Sequence, residues 1–280
     1  MTAPDVEPVE TPARARVLVT GGSSGLGAAL VDAYVARGAQ VLNCDLKERR
    51  REEDGSTSST SGVSYLRLDV RSDDDWAAAV AWVDEHWGGL DVLVNNAGVA
   101  GGGRIDVATM DEWLWITEIN LFGVVRGTRA FTPIFKRQGS GRVINVASLA
   151  GLVHPAGMAS YNAVKAGVVA FTETVGHELA GYGVTAHVVC PSYFRTGLVD
   201  SMQGSDVTVG EVIGALVANS PVGPEEIAQA VLEGVDRGDE LILPDDAARG
   251  AHQLKVADRA AYDAVMRKQA AHLDAMGGPA

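Results

Sequence analysis

Arg16-Val17-Leu18-Val19-Thr20-Gly21-Gly22-Ser23-Ser24-Gly25-Leu26-Gly27 is the stretch that decides the fold. Its first five residues form an apolar run of strand length, as expected of a strand buried on both faces. The glycines that follow permit a tight turn at positive φ and leave bare backbone for a phosphate to approach. From about residue 28 to 37 the chain reads as a helix closed by Gly38. The N–H groups at its start would face the turn. A second strand, 40–44, ends at Asp45. Strand, glycine turn, helix, strand, acid is the order of a dinucleotide-binding unit. A glycine triad alone could be a flexible loop; Asp45 at the end of the next strand is what favours the nucleotide.

Working outward, residues 63–68 read as a third strand ending at Asp69. Ser72 with Asp73, Asp74 and Asp75 starts a helix to about Trp87, its carboxylates at the positive end of the dipole. Trp76, Val80 and Val83 share one face, with Trp87 following, and read as core. A fourth strand, 90–94, leads into Asn95-Asn96-Ala97-Gly98, which either makes a simple turn or fixes a loop beside a cofactor. A long helix is predicted over 111–136 with Asn120 midway; asparagine is a poor helix former, so its side chain either has a partner or is merely exposed. Residues 142–148 form another apolar run ending at Ser148. A glycine-rich loop follows, then a helix carrying Tyr161 and Lys165 one turn apart on one face. Further strands are predicted at 184–190 and 240–243, with a helix at 224–235 between them.

Seven strand signals alternating with helices predict a Rossmann-type, doubly wound α/β fold: a seven-stranded parallel sheet with helices on both faces. Residues 1–13 read as a disordered arm, 14–244 as one domain and 245–280 as a helical C-terminal extension. Within the domain, 47–62 reads as a solvated polar loop and about 197–221, glycine-rich and weakly patterned, as a mobile flap over the strand ends.

With 46% hydrophobic residues in a chain of 280, a full core is expected. The net charge of −13 disfavours nucleic acid and anionic membrane surfaces as partners. No apolar run reaches membrane-spanning length. The two cysteines, Cys44 and Cys190, each end an apolar run and read as buried free thiols, which suits a reducing cytoplasm. No Cys/His cluster has metal-ligand spacing, so no metal is expected.

Thr20-Gly21-x-x-x-Gly25-x-Gly27, Asn95-Asn96-Ala97-Gly98, Asn120, Ser148 and Tyr161-x-x-x-Lys165 resemble the short-chain dehydrogenase/reductase family in its compact single-domain branch. The marks occur in order, and the resemblance covers roughly 15–243. It implies a nicotinamide dinucleotide cofactor and a catalytic set of Asn120, Ser148, Tyr161 and Lys165. Cofactor contacts are implied at Gly21, Ser23, Ser24, Gly25, Leu26 and Gly27 of the turn, then at Asp45, Leu46, Asp69 and Val70 after the next two strands. Further contacts are implied at Asn96, Ala97, Gly98, Tyr161, Lys165, Pro191, Phe194 and Thr196. A homodimer or homotetramer built on the two long helices is implied as well. Two departures stand out. Many members have Pro-Gly where this chain has Pro191-Ser192, and many end soon after the last strand, which puts the tetramer in doubt.

The resemblance implies hydride exchange between NAD(H) and a secondary alcohol or ketone, with Tyr161 as acid/base. A cation about 4 Å from the phenol is worth roughly 4 kcal/mol at intermediate dielectric, so Lys165 is expected to lower the tyrosine's pKa. Ser148 would orient the substrate oxygen, and Asn120 would hold a water linking Lys165 to solvent. The substrate pocket is expected from 99–104, 151–158 and the flap from 193 onward, with Gly151, Leu152, Val153, Met158, Tyr193 and Phe194 making it mostly apolar. His154 either bonds a polar substrate group or is an ordinary loop histidine. Asp45 favours NAD, since a 2′-phosphate beside it would be repelled; the run Lys47, Arg49, Arg50 and Arg51 is the opposing feature. Alternatives are an NADP-dependent ketoreductase, a catalytically silent dinucleotide sensor, and an epimerase or dehydratase on the same fold.

Overall fold

The computed structural model describes residues 14–49 and 62–277. The expected arm at 1–13 and most of the polar loop expected at 47–62 lie outside the described residues.

Strand β1 (Arg16–Thr20) is buried along its length after Arg16. Strand side chains alternate between faces, so Val17 and Val19 pack on one side of the sheet and Leu18 on the other. Helix α1 (Gly25–Ala36) follows, then β2 (Gln40–Asp45), β3 (Val63–Arg67), α2 (Asp73–Trp87) and β4 (Val92–Asn95). The Ser72 hydroxyl caps α2 by accepting from the Asp75 N–H at 3.1 Å. Trp76 and Val83 are buried in the core beneath it.

Helix α3 (Met110–Thr117), a π-turn (Glu118–Phe122) and α4 (Gly123–Gln138) occupy the place of the single long helix expected at 111–136. Then come β5 (Gly141–Val146), the one-turn α5 (Ala150–Val153), α6 (Ala159–Leu179) and β6 (Val184–Val189). The chain ends with α7 (Val207–Ala218), α8 (Pro224–Arg237), β7 (Leu241–Ile242), α9 (Asp246–Ala257) and α10 (Arg259–Gly277).

All seven strands are parallel, in the order β3-β2-β1-β4-β5-β6-β7. Helices α1 and α8 cover one face, where Leu30, Tyr34, Val231 and Val235 join Val17 and Val19. Helices α2, α4 and α6 contribute Trp76, Phe131, Phe135 and Leu179 to the other face, around Leu18 and Leu42. The chain reverses its direction of travel across the sheet between β1 and β4, and the carboxyl ends of those neighbours open the crevice where such folds take ligands.

Three further expectations change. Helix α1 begins at Gly25, three residues early, because the glycines of the turn themselves form its first turn. The glycine-rich loop after Ser148 contains α5. The weakly patterned 197–221 stretch contains the twelve-residue α7. Its valines and glycines are poor helix formers, and it is held by burying Val209, Ile213 and Val217 against Met158 and Leu273.

The turn between β1 and α1 allows no side chain at Gly27, where a Cβ would lie 2.0 Å from the Gly21 carbonyl oxygen and 2.5 Å from Asn96 Nδ2. Gly27→Ala is therefore expected to cost about 2 kcal/mol or more, since overpacking against backbone cannot relax cheaply. Gly181→Ala, which meets nothing within 4 Å, is the control. Equal chemical-denaturation midpoints for the two variants would contradict this packing.

Candidate active site

The site is assembled at the carboxyl edge of the sheet around one cavity of about 800 Å³. At the β1 end, Gly21 and Gly25 adopt φ of +65° and +51°, and a Cβ at Gly25 would meet Thr196 Oγ1 at 2.7 Å. The N-cap of α1, Ser24, makes no side-chain cap bond, and the first turn carries no acid. Helix α2, by contrast, saturates its start with Ser72 and three aspartates. The positive end of α1 is thus left open for an anion. Asp45 lines the cavity at the end of β2 and accepts the Ser23 N–H at 3.0 Å. A glycine cradle, an uncapped helix start and a carboxylate on the next strand together fit a dinucleotide.

The asparagine motif after β4 works as a brace. Asn96 Nδ2 donates to the Thr20 carbonyl at 2.9 Å, and Thr20 Oγ1 accepts from the Asn96 and Ala97 N–H groups at 3.0 Å each. Asn120 lies in the π-turn, fully buried, and does have a partner. Its Oδ1 accepts from Val99 N at 2.8 Å and its Nδ2 donates to Val99 O at 2.9 Å. Both ends of that amide hold the loop that leaves β4.

Ser148, Tyr161 and Lys165 all line the cavity. Ser148 follows β5, accepts from the Ala150 N–H at 3.2 Å and shares a hydrogen bond with Tyr161. Lys165 Nζ donates to the Val146 carbonyl at 3.0 Å and lies 5.7 Å from the Tyr161 ring centroid. The expected lowering of the tyrosine by this cation does not occur. Burial dominates and pushes the phenol up to about 12, against a smaller opposing pull from the Ser148 bond. The same burial lowers Lys165 to about 8. An ammonium aimed at a carbonyl, and itself short of water, does not outweigh the desolvation of the phenol.

Of the other expected residues, Ser24, Leu26, Leu46, Val70, Gly98, Pro191, Phe194 and Thr196 line the cavity. So does Asp69, whose carboxylate is spent on Arg71 at 2.6 Å. Ser23 is not on the wall; its hydroxyl accepts from Asn43 Nδ2. On the substrate side Met158 and Tyr193 line the cavity, whereas Gly151, Leu152 and His154 do not. Gly151 packs on the Lys165 backbone, where a Cβ would meet a carbonyl oxygen at 2.6 Å. Leu152 faces the Val168 and Val169 cluster. His154, at φ +57°, turns its ring between the Gly151 carbonyl at 3.1 Å and Lys255 Nζ at 2.8 Å. The flap expected to help form the pocket contributes Ile213 and Leu216, whereas sequence reasoning missed Trp115, Ile119, Tyr262, Met266 and Gln269, all on the wall. The spacing of Tyr262, Met266, Gln269 and Leu273 along one helix face was the available signal.

A family model described as short chain dehydrogenase matches residues 15–206. The chain belongs to the short-chain dehydrogenase family. This dehydrogenase is 33% identical over 218 residues to the 3-oxoacyl-(acyl-carrier-protein) reductase of Vibrio cholerae, covering 76% of this chain and 86% of the relative. A short-chain dehydrogenase/reductase from Burkholderia phymatum, solved in complex with NAD, superposes with a TM-score of 0.81 at 26% identity, covering 90% of this chain and 96% of that one. A Burkholderia cenocepacia short-chain dehydrogenase, solved in complex with NADP, superposes with a TM-score of 0.76 at 26% identity, covering 90% and 97%. The dehydrogenase is thus an oxidoreductase with a Rossmann fold that binds a nicotinamide dinucleotide. Among its described residues no helix is long and apolar enough to cross a membrane, and no group of side chains has the makings of a metal site. Cys44 and Cys190 are free and buried.

The lowered Lys165 pKa predicts a stability effect with a definite sign. The folded state binds the lysine proton less well than the unfolded chain, so below about pH 8 the buried charge opposes folding by an amount on the order of 3 kcal/mol. That penalty falls as pH rises through 8 and is gone near the unfolded value of about 10.5. Lys165→Met should raise the unfolding temperature of the ligand-free dehydrogenase at pH 7, by a margin that shrinks toward pH 10. A lower unfolding temperature at pH 7 would refute a charged, desolvated lysine.

Proposed function

We propose that the protein is an NAD-preferring alcohol dehydrogenase/ketoreductase, exchanging a hydride with a secondary alcohol or ketone of largely apolar character. The observation that carries this reading is the meeting of Ser148, Tyr161 and Lys165 on one wall of a cavity whose other end holds the glycine cradle and Asp45. The bound nicotinamide would supply or accept the hydride. Gly21, Ser24, Gly25 and Gly27 would cradle its pyrophosphate, and Asp45 its adenosine ribose.

In the direction of reduction, Ser148 Oγ donates a hydrogen bond to the substrate carbonyl oxygen. Tyr161 Oη gives its proton to that oxygen as the hydride reaches the carbon, and regains one from solvent. At neutral pH the buried phenol carries the proton that the reduction requires. Lys165, whose ammonium lies near the ring, offsets the charge left on the phenolate. Asn120 acts as a positioning residue through Val99. The intact tyrosine–lysine pair speaks against a silent sensor. The free, buried thiols support a reducing, cytoplasmic setting. Homodimerisation rests on the family resemblance alone.

NADP is the second reading, because relatives of both cofactor types exist. Three arginines near Asp45 are already committed: Arg49 to Asp32 at 2.7 Å, Arg67 to Asp75 at 3.3 Å and Arg71 to Asp69 at 2.6 Å. Arg50 and Arg51 lie outside the described residues. A 2′-phosphate about 4 Å from Asp45 would be repelled by roughly 4 kcal/mol at intermediate dielectric.

Tyr161→Phe keeps the ring and removes the proton, so kcat is expected to fall about 100-fold or more while cofactor binding survives. Near-normal turnover of that variant with a secondary alcohol would end the acid/base assignment. Comparing kcat/KM for NAD and NADP with one alcohol decides the cofactor. A clear preference for NAD that narrows in Asp45→Ala is expected, and equal or better use of NADP by the unaltered protein would reverse the assignment.

A further inference from the structure

The C-terminal extension is not peripheral. It is tied to the site at four places. Asp245, the N-cap of α9, accepts from the Ser192 N–H at 2.9 Å and from the Ser192 hydroxyl at 2.5 Å. Lys255 Nζ donates to the Leu152 carbonyl, and the Tyr262 hydroxyl to the Val153 carbonyl. Leu273, almost fully buried, packs among Met158, Val209 and Ile213.

Tyr262, Met266, Gln269 and Leu273 are spaced by four, three and four, which puts them on one face of α10. Tyr262 anchors one end of that face to α5, and Leu273 anchors the other end to α7. Between the anchors, Met266 and Gln269 line the cavity. Among the described residues the charged groups on the cavity wall are Asp45, Asp69, Arg71 and Lys165. The first three stand at the β2–β3 end, and Lys165 stands beside Tyr161. The walls contributed by α3, α7, α9 and α10 carry no charge. Of the polar side chains on these walls and on the adjoining 201–203 segment, Tyr262 is spent on Val153, Ser201 donates to the Leu198 carbonyl at 2.5 Å, and Gln203 is exposed. Gln269 is half-buried and has no hydrogen-bond partner among the described residues.

We propose that α10 is the specificity wall of the substrate pocket, restricting it to uncharged, compact apolar ketones and alcohols. Met266 sets the size limit. Gln269 receives a second, uncharged polar group, separate from the carbonyl that Ser148 and Tyr161 address. A phosphorylated or carboxylated substrate would bring a charge into a wall with no countercharge, and burying it unpaired is costly. The inference rests on the alcohol–ketone reading above, and its test does not need turnover.

Ketone binding is measured by titration calorimetry in the presence of NAD⁺, with which a ketone cannot react. The probes are 2-decalone, 6-hydroxy-2-decalone, a decalone carboxylate and a tricyclic perhydroanthracenone. The unaltered protein should bind the hydroxylated decalone about tenfold more tightly than the plain one, the worth of one buried hydrogen bond. It should bind the carboxylate at least tenfold more weakly. Gln269→Leu should erase the hydroxyl preference and leave 2-decalone unchanged. Met266→Ala should tighten binding of the tricyclic ketone by about tenfold. The inference is overturned if both variants leave the order of affinities unchanged, if the carboxylate binds as well as the neutral ketones, or if no ketone binds. Ketone binding in the expected order without turnover by NAD(H) or NADP(H) would instead sink the alcohol–ketone reading and leave the wall standing.

Discussion

Every strand of this sheet points the same way, so every strand delivers its carboxyl end to one edge. That single constraint gathers residues far apart in the chain, from Gly21 to Gln269, around one cavity. It also sets the composition of the strands. A parallel sheet covered on both faces has no side that tolerates polar residues, so polar side chains concentrate at the strand ends or satisfy one another. Asn95 and Asn145, buried on neighbouring strands, do the latter in part: Asn95 Nδ2 donates to Asn145 Oδ1 at 2.9 Å and to Thr128 Oγ1, and Asn145 Nδ2 donates to Thr172 Oγ1, while Asn95 Oδ1 has no partner among the described residues.

Within that frame the balance between desolvation and charge decides the chemistry. Tyr161 and Lys165 are both buried, and burial disfavours the charged form of each. The phenol rises and the ammonium falls, so two values that start close together are driven apart, and each group is pushed toward its neutral form. A simple Coulomb estimate with the cation alone has the wrong sign for the tyrosine because it omits the water that both groups lose. The same omission hides the cost to folding of keeping Lys165 charged.

The C-terminal extension changes what kind of pocket the fold presents. In place of the glycine common after Pro191, the chain has Ser192, whose N–H and hydroxyl are both taken by Asp245 at the start of α9. That departure from the family pattern is explained by docking rather than by catalysis. With α9 and α10 clamped down, a wall built from the chain's own tail faces the cavity.

Much was legible in the sequence by itself. Strand period and glycine placement determined the parallel sheet, because a run buried on both faces cannot be polar and a phosphate turn cannot carry side chains. The pairing of Tyr161 with Lys165 followed from helix geometry alone, since residues four apart share a face. What only the tertiary structure decided depends on contacts between distant segments. Helix α7 exists because Met158 and Leu273 cover its valines, not because its residues favour a helix. Asn120 occupies a π-turn because Val99 offers both a donor and an acceptor to its amide. His154 leaves the pocket because Lys255, a hundred residues on, takes its ring nitrogen. Met266 and Gln269 reach the cavity only because Tyr262 and Leu273 pin their helix at both ends. Local periodicity reports which face of an element is apolar, but not which distant surface that face will meet.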